Sequence, residues 1–303
     1  MQYAAKVESL IGQTPLVDLT ALGTGSARIL GKYEATNPGG SVKDRIARAM
    51  LDAAEKDGRL TEGGTIIEPT SGKTGVGLAM LAAARGYRMI LVMPDTMSIE
   101  RRRLAASYGA EIVLTPGAEG MKGAVAKADE LAAETPGAII AGQFVNPANP
   151  QAHYETTGPE IWNATEGTVD VLVSGVGTGG TVSGASRFIK EHKPSFQAVA
   201  VEPAESPVLS GGAPGKHRIQ GIGAGFVPKT YDASVVDKIQ TVTSDDAVAT
   251  KRRLASELGV LVGISSGAAV SAALALDATG EYEGKTIVAI LPDTGERYLS
   301  LDA

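Results

Sequence analysis

Strand-like apolar runs and helix-like amphipathic segments alternate along nearly all of this 303-residue chain. The predicted strands span residues 29–33, 65–68, 89–93, 111–114, 138–141, 169–174, 198–202, 238–242 and 285–291. The predicted helices span residues 41–56, 74–85, 98–108, 120–135, 181–192, 244–258 and 267–278. Strict alternation of strand and helix implies right-handed crossovers and parallel sheets with helices on both faces. The sequence therefore predicts an α/β protein with doubly wound, mostly parallel sheets.

Residues 146–150 interrupt the alternation, because Pro147 and Pro150 stand close together. This interruption predicts a linker between two domains. The predicted smaller domain spans residues 35–146, and the larger one combines residues 1–34 with 147–303. Two such domains would face each other across a cleft at the carboxyl ends of their strands, where ligands of α/β proteins usually bind.

Composition excludes several classes of protein. A net charge of −6 and a pI near 5.3 argue against nucleic acid or an anionic membrane as the main partner. The absence of cysteine excludes disulfides and thiolate metal sites. No apolar run approaches the ~20 residues of a membrane span, and the N-terminus lacks a signal-peptide pattern, so we predict a cytoplasmic protein. His153, His192 and His217 lack metal-ligand spacing and are predicted to be non-catalytic, with no metal site.

Lys43 is the first candidate for chemistry. It follows a Pro-Gly-Gly bend and falls in the first turn of a predicted helix. The positive end of the helix dipole disfavours a charged amine there and should lower the pKa of Lys43. A neutral amine can attack an aldehyde and form a Schiff base. The alternative is a solvated lysine beside Asp44 at a helix end.

Two glycine-containing turns follow predicted strands and open predicted helices. The turn at 175–181 suits a phosphate group, since backbone N–H groups and the helix dipole converge there. Its Gly175, Gly177 and Gly180 also match G-x-G-x-x-G, and Glu202 ends the next strand, so a dinucleotide site is an alternative. The turn at 70–75 contains Ser-Gly-Lys-Thr, as in a Walker A loop, but Ile67 occupies the place of the required glycine.

Five segments in order resemble the cysteine synthase, or O-acetylserine sulfhydrylase, family. They are Asn-Pro-Gly-Gly-Ser-Val-Lys-Asp-Arg (37–45), Glu-Pro-Thr-Ser-Gly (68–72), Gly-Val-Gly-Thr-Gly-Gly-Thr (175–181), Gly-Ile-Gly-Ala-Gly-Phe (221–226) and Gly-Ile-Ser-Ser-Gly (263–267). The resemblance covers nearly the whole chain. It implies a pyridoxal phosphate (PLP) enzyme of fold type II, similar to the tryptophan synthase β subunit, with the cofactor in the cleft between two domains.

The resemblance also implies a role for individual residues. Lys43 would carry PLP, and Ser265 would face the pyridine nitrogen, although Ser265 could instead cap the helix predicted from residue 267. A serine partner leaves the ring neutral, which favours β-elimination over transamination. The residues expected to bind the cofactor phosphate are Gly177, Thr178, Gly179, Gly180 and Thr181. The residues expected to bind the substrate are Thr70, Ser71, Gly72, Thr74, Gln143 and Gly221.

Lys73 departs from the family pattern, which has asparagine at this position, donating to the 3′-oxygen of the cofactor. A lysine there would stabilise the ionised oxygen and disfavour protonation of the nearby Schiff base. It could instead pair with an acidic group. Three consequences are open: altered activity, a substrate with an additional acidic group, or near-inactivity.

The implied reaction is β-replacement, in which O-acetyl-L-serine and sulfide give L-cysteine and acetate. The family resemblance further implies a homodimer, a mobile part near residues 89–132 that closes over the substrate, and possible binding of the serine acetyltransferase C-terminal tail. The alternatives are cystathionine β-synthase-like activity, L-cysteine lyase (desulfhydrase) activity, or an impaired variant that mainly binds serine acetyltransferase. The choice between O-acetylserine and O-phosphoserine as donor is also open.

Overall fold

The computed structural model describes residues 3–70, 72–96 and 99–301. The chain divides into two compact units. The first unit comprises residues 1–11 and 43–148, and the second comprises residues 12–42 and 149–303. The domain boundaries expected from the sequence, and mobility near residues 89–132, stay predictions.

The strands within the described residues are β1 (Leu16–Asp18), β2 (Arg28–Tyr33), β3 (Thr65–Pro69), β4 (Arg88–Pro94), β5 (Glu111–Thr115), β6 (Ile139–Ile140), β7 (Val169–Gly175), β8 (Gln197–Pro203), β9 (Lys238–Val242) and β10 (Thr286–Leu291). The α-helices are α1 (Lys43–Lys56), α2 (Lys73–Arg85), α3 (Ile99–Ser107), α4 (Gly120–Glu134), α5 (Ala148–Ala152), α6 (Gly158–Ala164), α7 (Gly180–His192), α8 (Ser244–Leu258) and α9 (Ile264–Asp277). A π-helical segment, His153–Thr157, joins α5 to α6. Short 3₁₀ helices span Val7–Leu10, Thr20–Leu22, Glu34–Thr36, Gly117–Glu119, Ala233–Val235 and Gly295–Leu301.

Each unit is built on its own sheet. In the first unit the strand order is β5–β4–β3–β6, and all pairs are parallel. In the second unit the order is β1–β2–β10–β7–β8–β9, and only β1 runs antiparallel to its neighbour. The predicted α/β class with mostly parallel sheets is confirmed.

The central strand β10 shows why the second sheet is covered on both faces. Its sequence Thr-Ile-Val-Ala-Ile-Leu is buried throughout, as expected for a parallel strand between two helical layers. Side chains alternate between faces. Ile287 and Ala289 join a core with α9, whereas Val288 and Ile290 join a core with α6 and α7.

The boundary between the two units falls within the predicted linker, after Ala148, but the segment is not an irregular linker, because α5 begins at Ala148. Asn146 Oδ1 accepts a hydrogen bond from the backbone N–H of Ala148 at 3.0 Å and so satisfies one N–H of the first turn. Pro150 also lies in that turn, where a residue without an N–H loses no helical hydrogen bond. The two prolines therefore mark the start of a helix, and the helical stretch 148–164 was missed. Among the described residues, no helix is long and apolar enough to span a bilayer.

Candidate active site

Lys43 is the first residue of α1, as the sequence predicted for the first turn of a helix, and its side chain is half-buried. The segment before it is fixed within the second unit. The Nδ2 group of Asn37 donates to the backbone oxygen and to Oε2 of the fully buried Glu34, both at 2.9 Å. The backbone N–H of Val42 donates to the carbonyl of Pro292 at 2.9 Å. Lys43 therefore follows directly on a firmly anchored backbone.

A group of predicted substrate-binding residues comes together in the first unit, where β3 is followed by α2. The hydroxyl of Thr74 donates to Gln143 Oε1 at 2.6 Å, and Gln143 Nε2 donates to Thr70 Oγ1 at 3.4 Å. The backbone N–H of Gly72 also donates to Thr70 Oγ1, at 3.2 Å. Gln143 is thus brought beside two threonines that lie about 70 residues earlier.

Two other predicted residues of this loop need separate mention. Ser71 lies outside the described residues. Lys73 is the first residue of α2 and is half-buried.

Glu68 is a buried acid in the same loop region, and sequence analysis assigned it no role. Its side chain is 1% exposed, and its carboxylate accepts hydrogen bonds from the backbone N–H groups of Gly142 and Gln143. Burial raises the pKa of Glu68 from its usual 4.5 to about 7, although these hydrogen bonds lower it in part. Burial dominates because removing a carboxylate from water penalises its charged form.

The glycine-rich turn of the second unit lies between β7 and α7. Gly179 has a φ of +81°, in the left-handed region that glycine tolerates. A Cβ on Gly177 would lie 2.4 Å from the carbonyl oxygen of Gly221, so only glycine allows this close approach. Gly180 begins α7, a helix of 13 residues whose free N–H groups and dipole favour an anion at this end.

Buried hydroxyls of this turn are held by the helical residues 148–157, which begin inside the predicted linker. Asn149 Nδ2 donates to Thr178 Oγ1 at 2.9 Å. The His153 ring contacts Thr181 Oγ1 through Nε2 at 3.2 Å and Thr157 Oγ1 through Nδ1 at 2.8 Å. No local pattern indicated the contacts with Thr178 and Thr181, because they join residues 29 and 28 positions apart. That His153 is non-catalytic stays a prediction.

Ser265 lies in the first turn of α9 and is 1% exposed. Its role as a helix cap is excluded, because α9 already begins at Ile264 after Gly263 and no side chain caps it. Its Oγ is buried without a hydrogen-bond partner among the described residues. A buried polar atom left unpaired costs about 1–3 kcal/mol, which favours a role in binding a ligand.

The dinucleotide alternative loses support. The carboxylate of Glu202 is occupied within its own unit, where it accepts hydrogen bonds from the backbone N–H groups of Leu209 at 2.7 Å and Ser210 at 3.0 Å. Glu202 therefore holds the loop that follows β8. In a dinucleotide site this acid must instead accept a hydrogen bond from the ribose hydroxyl.

The fold and the following comparison define the class of protein. The family model described as "Pyridoxal-phosphate dependent enzyme" matches residues 7–293. Cysteine synthase A of Escherichia coli (strain K12) is 54% identical over 299 residues, which cover 96% of this chain and 92% of that protein. The chain therefore belongs to the cysteine synthase family of pyridoxal-phosphate dependent enzymes.

Solved structures agree with this assignment. The cysteine synthase of Entamoeba histolytica has a TM-score of 0.97 to this chain, with 46% identity over 99% of this chain and 90% of that one. An O-ureido-L-serine synthase has a TM-score of 0.95, with 45% identity over 99% of this chain and 94% of that one.

The residues of the second unit fit the cofactor of the family. The turn at Gly177–Thr181 offers a helix N-terminus, backbone N–H groups and two hydroxyls to a phosphate, and α7 is long enough to have a developed dipole. The unpaired Oγ of Ser265 fits a ring nitrogen that needs a neutral hydrogen-bond partner. The chain is a PLP-dependent enzyme, and these are the groups we expect to hold its cofactor.

Proposed function

We propose that this chain forms L-cysteine and acetate from O-acetyl-L-serine and sulfide by PLP-dependent β-replacement. Its sequence identity to cysteine synthases over nearly the whole chain supports O-acetyl-L-serine and sulfide as the substrates. The observation that supports this reaction type is the buried, unpaired hydroxyl of Ser265, where many PLP enzymes have a carboxylate. PLP, when bound, supplies an electron sink for the substrate α-carbon, and a neutral partner makes that sink weak enough to favour loss of a leaving group.

Lys43 is the proposed catalytic residue. Its Nζ would hold the cofactor between reactions, and during the reaction it would take the proton from the substrate α-carbon and later return it. Its position at the start of α1, directly after the backbone anchored at Val42, supports this role because a general base must be held in place.

The other proposed site residues bind rather than transfer protons. Gly177, Thr178, Gly179, Gly180 and Thr181 hold the cofactor phosphate, and Ser265 holds the ring nitrogen. Lys73 would lie near the 3′-oxygen of the cofactor. The substrate carboxylate is bound by the loop residues Thr70, Ser71, Gly72 and Thr74, together with Gln143 and Gly221. The hydrogen bonds that join Thr70, Thr74 and Gln143 support a common task for these three.

The assembly and location of the protein form part of the proposal: a cytoplasmic homodimer that could accept the C-terminal tail of serine acetyltransferase. A second candidate reaction is β-replacement with another nucleophile or donor, which the similarity to an O-ureido-L-serine synthase supports. Cystathionine β-synthase-like, L-cysteine lyase and tail-binding roles are the remaining alternatives.

The test begins with the visible absorption spectrum of the PLP-loaded protein before and after addition of O-acetyl-L-serine. Wild type should absorb visible light, change its spectrum with O-acetylserine, and then release cysteine when sulfide is added. Lys43→Ala should lose the substrate-dependent proton removal and cysteine formation, whereas Lys56→Ala, at the exposed other end of α1, should behave as wild type. Turnover with homocysteine, or on L-cysteine alone, in preference to sulfide would favour an alternative enzyme. A wild-type protein that stays colourless with PLP would refute the proposal.

A further inference from the structure

The buried carboxylate of Glu68 has no task in the proposed reaction. It lies at the fourth position of β3 and is 1% exposed. A glutamate is seldom buried in this way unless a hydrogen-bonding task retains it. Its contacts in the first unit indicate that task.

The partners of Glu68 are two successive backbone N–H groups. Oε2 accepts from Gly142 at 2.8 Å, and Oε1 accepts from Gln143 at 3.4 Å. Gly142 has a φ of +72°, and a left-handed residue in such a pair turns neighbouring N–H groups towards one anion. The parallel pairing of Ile67 with Ile140 brings this turn beside Glu68. The carboxylate thus fixes the backbone at the residue that carries the predicted substrate-binding amide.

The side chain of Gln143 is also held by the two threonines of the loop. Its amide oxygen accepts from Thr74 at 2.6 Å, and its amide nitrogen donates to Thr70 at 3.4 Å. Glu68 therefore holds one end of Gln143 and the threonine loop holds the other. The place of the amide in the site therefore depends on both sets of hydrogen bonds.

We propose that Glu68 is a positioning residue for the amino-acid substrate, because its carboxylate fixes Gln143 beside Thr70 and Thr74. This inference rests on the proposed function, in which these three residues bind the substrate carboxylate. Glu68 itself touches no reacting atom. Its loss should therefore weaken substrate binding and leave cofactor binding unchanged.

The energetic cost of the arrangement supports a positional role. Burial raises the pKa of Glu68 to about 7, so the folded chain keeps a carboxyl group where its charged form is disfavoured. A glutamine of the same size would be easier to bury. It has one acceptor oxygen, however, and its amide group would face an N–H donor in place of the second oxygen. A carboxyl group presents an oxygen to each of the two backbone N–H groups, and glutamine does not.

Asp277 offers a matched control in the second unit. It is 2% exposed, and its carboxylate likewise accepts from two backbone N–H groups, those of Gly25 at 2.8 Å and Ala27 at 3.0 Å. None of the proposed site residues lies in residues 25–27. Asp277→Asn therefore reproduces the loss of a buried backbone clamp without touching the substrate loop.

The experiment compares wild type, Glu68→Gln and Asp277→Asn as PLP-loaded enzymes. We expect Glu68→Gln to raise the KM for O-acetyl-L-serine about tenfold, with kcat changed less than about threefold and the Kd for PLP unchanged. The Kd for PLP can be measured from quenching of the fluorescence of Trp162, the only tryptophan of the chain. Asp277→Asn should leave KM unchanged while lowering the melting temperature. An unchanged KM in Glu68→Gln, or an equal rise in both variants, would overturn the proposal.

A further measurement separates this inference from the proposed function. Binding of a non-reacting amino acid, L-serine, is measured by the change it causes in the visible spectrum or melting temperature of each holoenzyme. If wild type binds L-serine but forms no cysteine, the proposed reaction fails, and weaker binding by Glu68→Gln still supports the positioning role. If Glu68→Gln does not fold, the affinity of Glu68→Asp for L-serine is measured in its place. Its shorter side chain keeps the charge but cannot reach both N–H groups, so a wild-type affinity for L-serine would contradict the proposal.

Discussion

The hydroxyl of Thr74 donates a 2.6 Å hydrogen bond to Oε1 of Gln143, and this bond joins the first turn of α2 to the segment after β6. Both residues are buried. With Oε1 thus occupied, the amide nitrogen of Gln143 is oriented as the donor of the pair. An amide nitrogen is the end that a substrate carboxylate requires.

Removing this hydrogen bond should weaken substrate binding. Thr74→Val keeps the shape of the side chain but leaves the buried Oε1 of Gln143 without its donor, a change that costs about 1–3 kcal/mol. We expect the KM for O-acetylserine to rise roughly tenfold, a factor that corresponds to about 1.4 kcal/mol. Steady-state kinetics would measure it. Thr74→Ser keeps the hydroxyl and should stay near wild type, so equal effects of the two variants would contradict the hydrogen-bond explanation.

Local signals were enough to predict much of the fold. The sequence predicts β9 and α8 with the same bounds that the structure shows. For α8 the reason is local: the side chain of Thr243 accepts from the N–H of Asp246, and the left-handed Gly259 ends the helix. Periodicity and end signals of this kind lie within a few residues of one another, so they can be interpreted without the rest of the chain.

The parts that sequence analysis missed depend on distant partners. Glu68 gains its role from Gly142, 74 residues later, and nothing near Glu68 indicates that pairing. Asn149 and His153 support Thr178 and Thr181 from a helical stretch whose prolines resembled a linker. Site residues could be predicted by resemblance to a family, whereas the residues that hold them became visible only in the fold.

Ser265 and the neighbouring Ser266 permit a controlled test of cofactor recognition. Both hydroxyls are buried without a partner among the described residues, and both lie in the first turn of α9. Replacing either by alanine removes an unpaired polar atom, so neither should destabilise the protein without PLP by more than about 1 kcal/mol. We expect Ser265→Ala, and not Ser266→Ala, to reduce the rise in melting temperature that PLP produces. Identical PLP-dependent shifts in the two variants would mean that Ser265 does not contact the ring.

Glu68 should give the stability of the protein a measurable pH dependence. Between pH 4.5 and about 7 the unfolded chain loses this proton while the folded chain keeps it, because burial raises the pKa to about 7. Folding then binds a proton, so the contribution of Glu68 to the free energy of unfolding falls as pH rises through this window and is constant above it. The Glu68→Gln substitution removes this pH-dependent contribution to the free energy of unfolding. Its stability relative to wild type should improve by about 2 to 3 kcal/mol from pH 5 to pH 8.

Urea denaturation of both proteins at several pH values would measure this difference. The comparison isolates Glu68, since every other titrating group is common to the two proteins. A constant difference between the two stability curves would show that the carboxyl of Glu68 titrates alike in the folded and unfolded chains.

Lys73 should determine which leaving group the enzyme prefers. It stands at the first residue of α2, next in sequence to Gly72 and Thr74 of the proposed substrate loop, and adds a positive charge to the positive end of that helix. A phosphate ester carries more negative charge than an acetate ester, so O-phosphoserine should gain more from this cation. In Lys73→Asn the ratio of kcat/KM for O-phosphoserine to that for O-acetylserine should fall about fivefold, which corresponds to the ~1 kcal/mol of a partly solvated ion pair. Lys122→Asn removes one charge from an exposed position on α4 and should leave the ratio unchanged. If both variants leave it unchanged, Lys73 does not face the leaving group, and the lysine in place of the family's asparagine affects the cofactor alone.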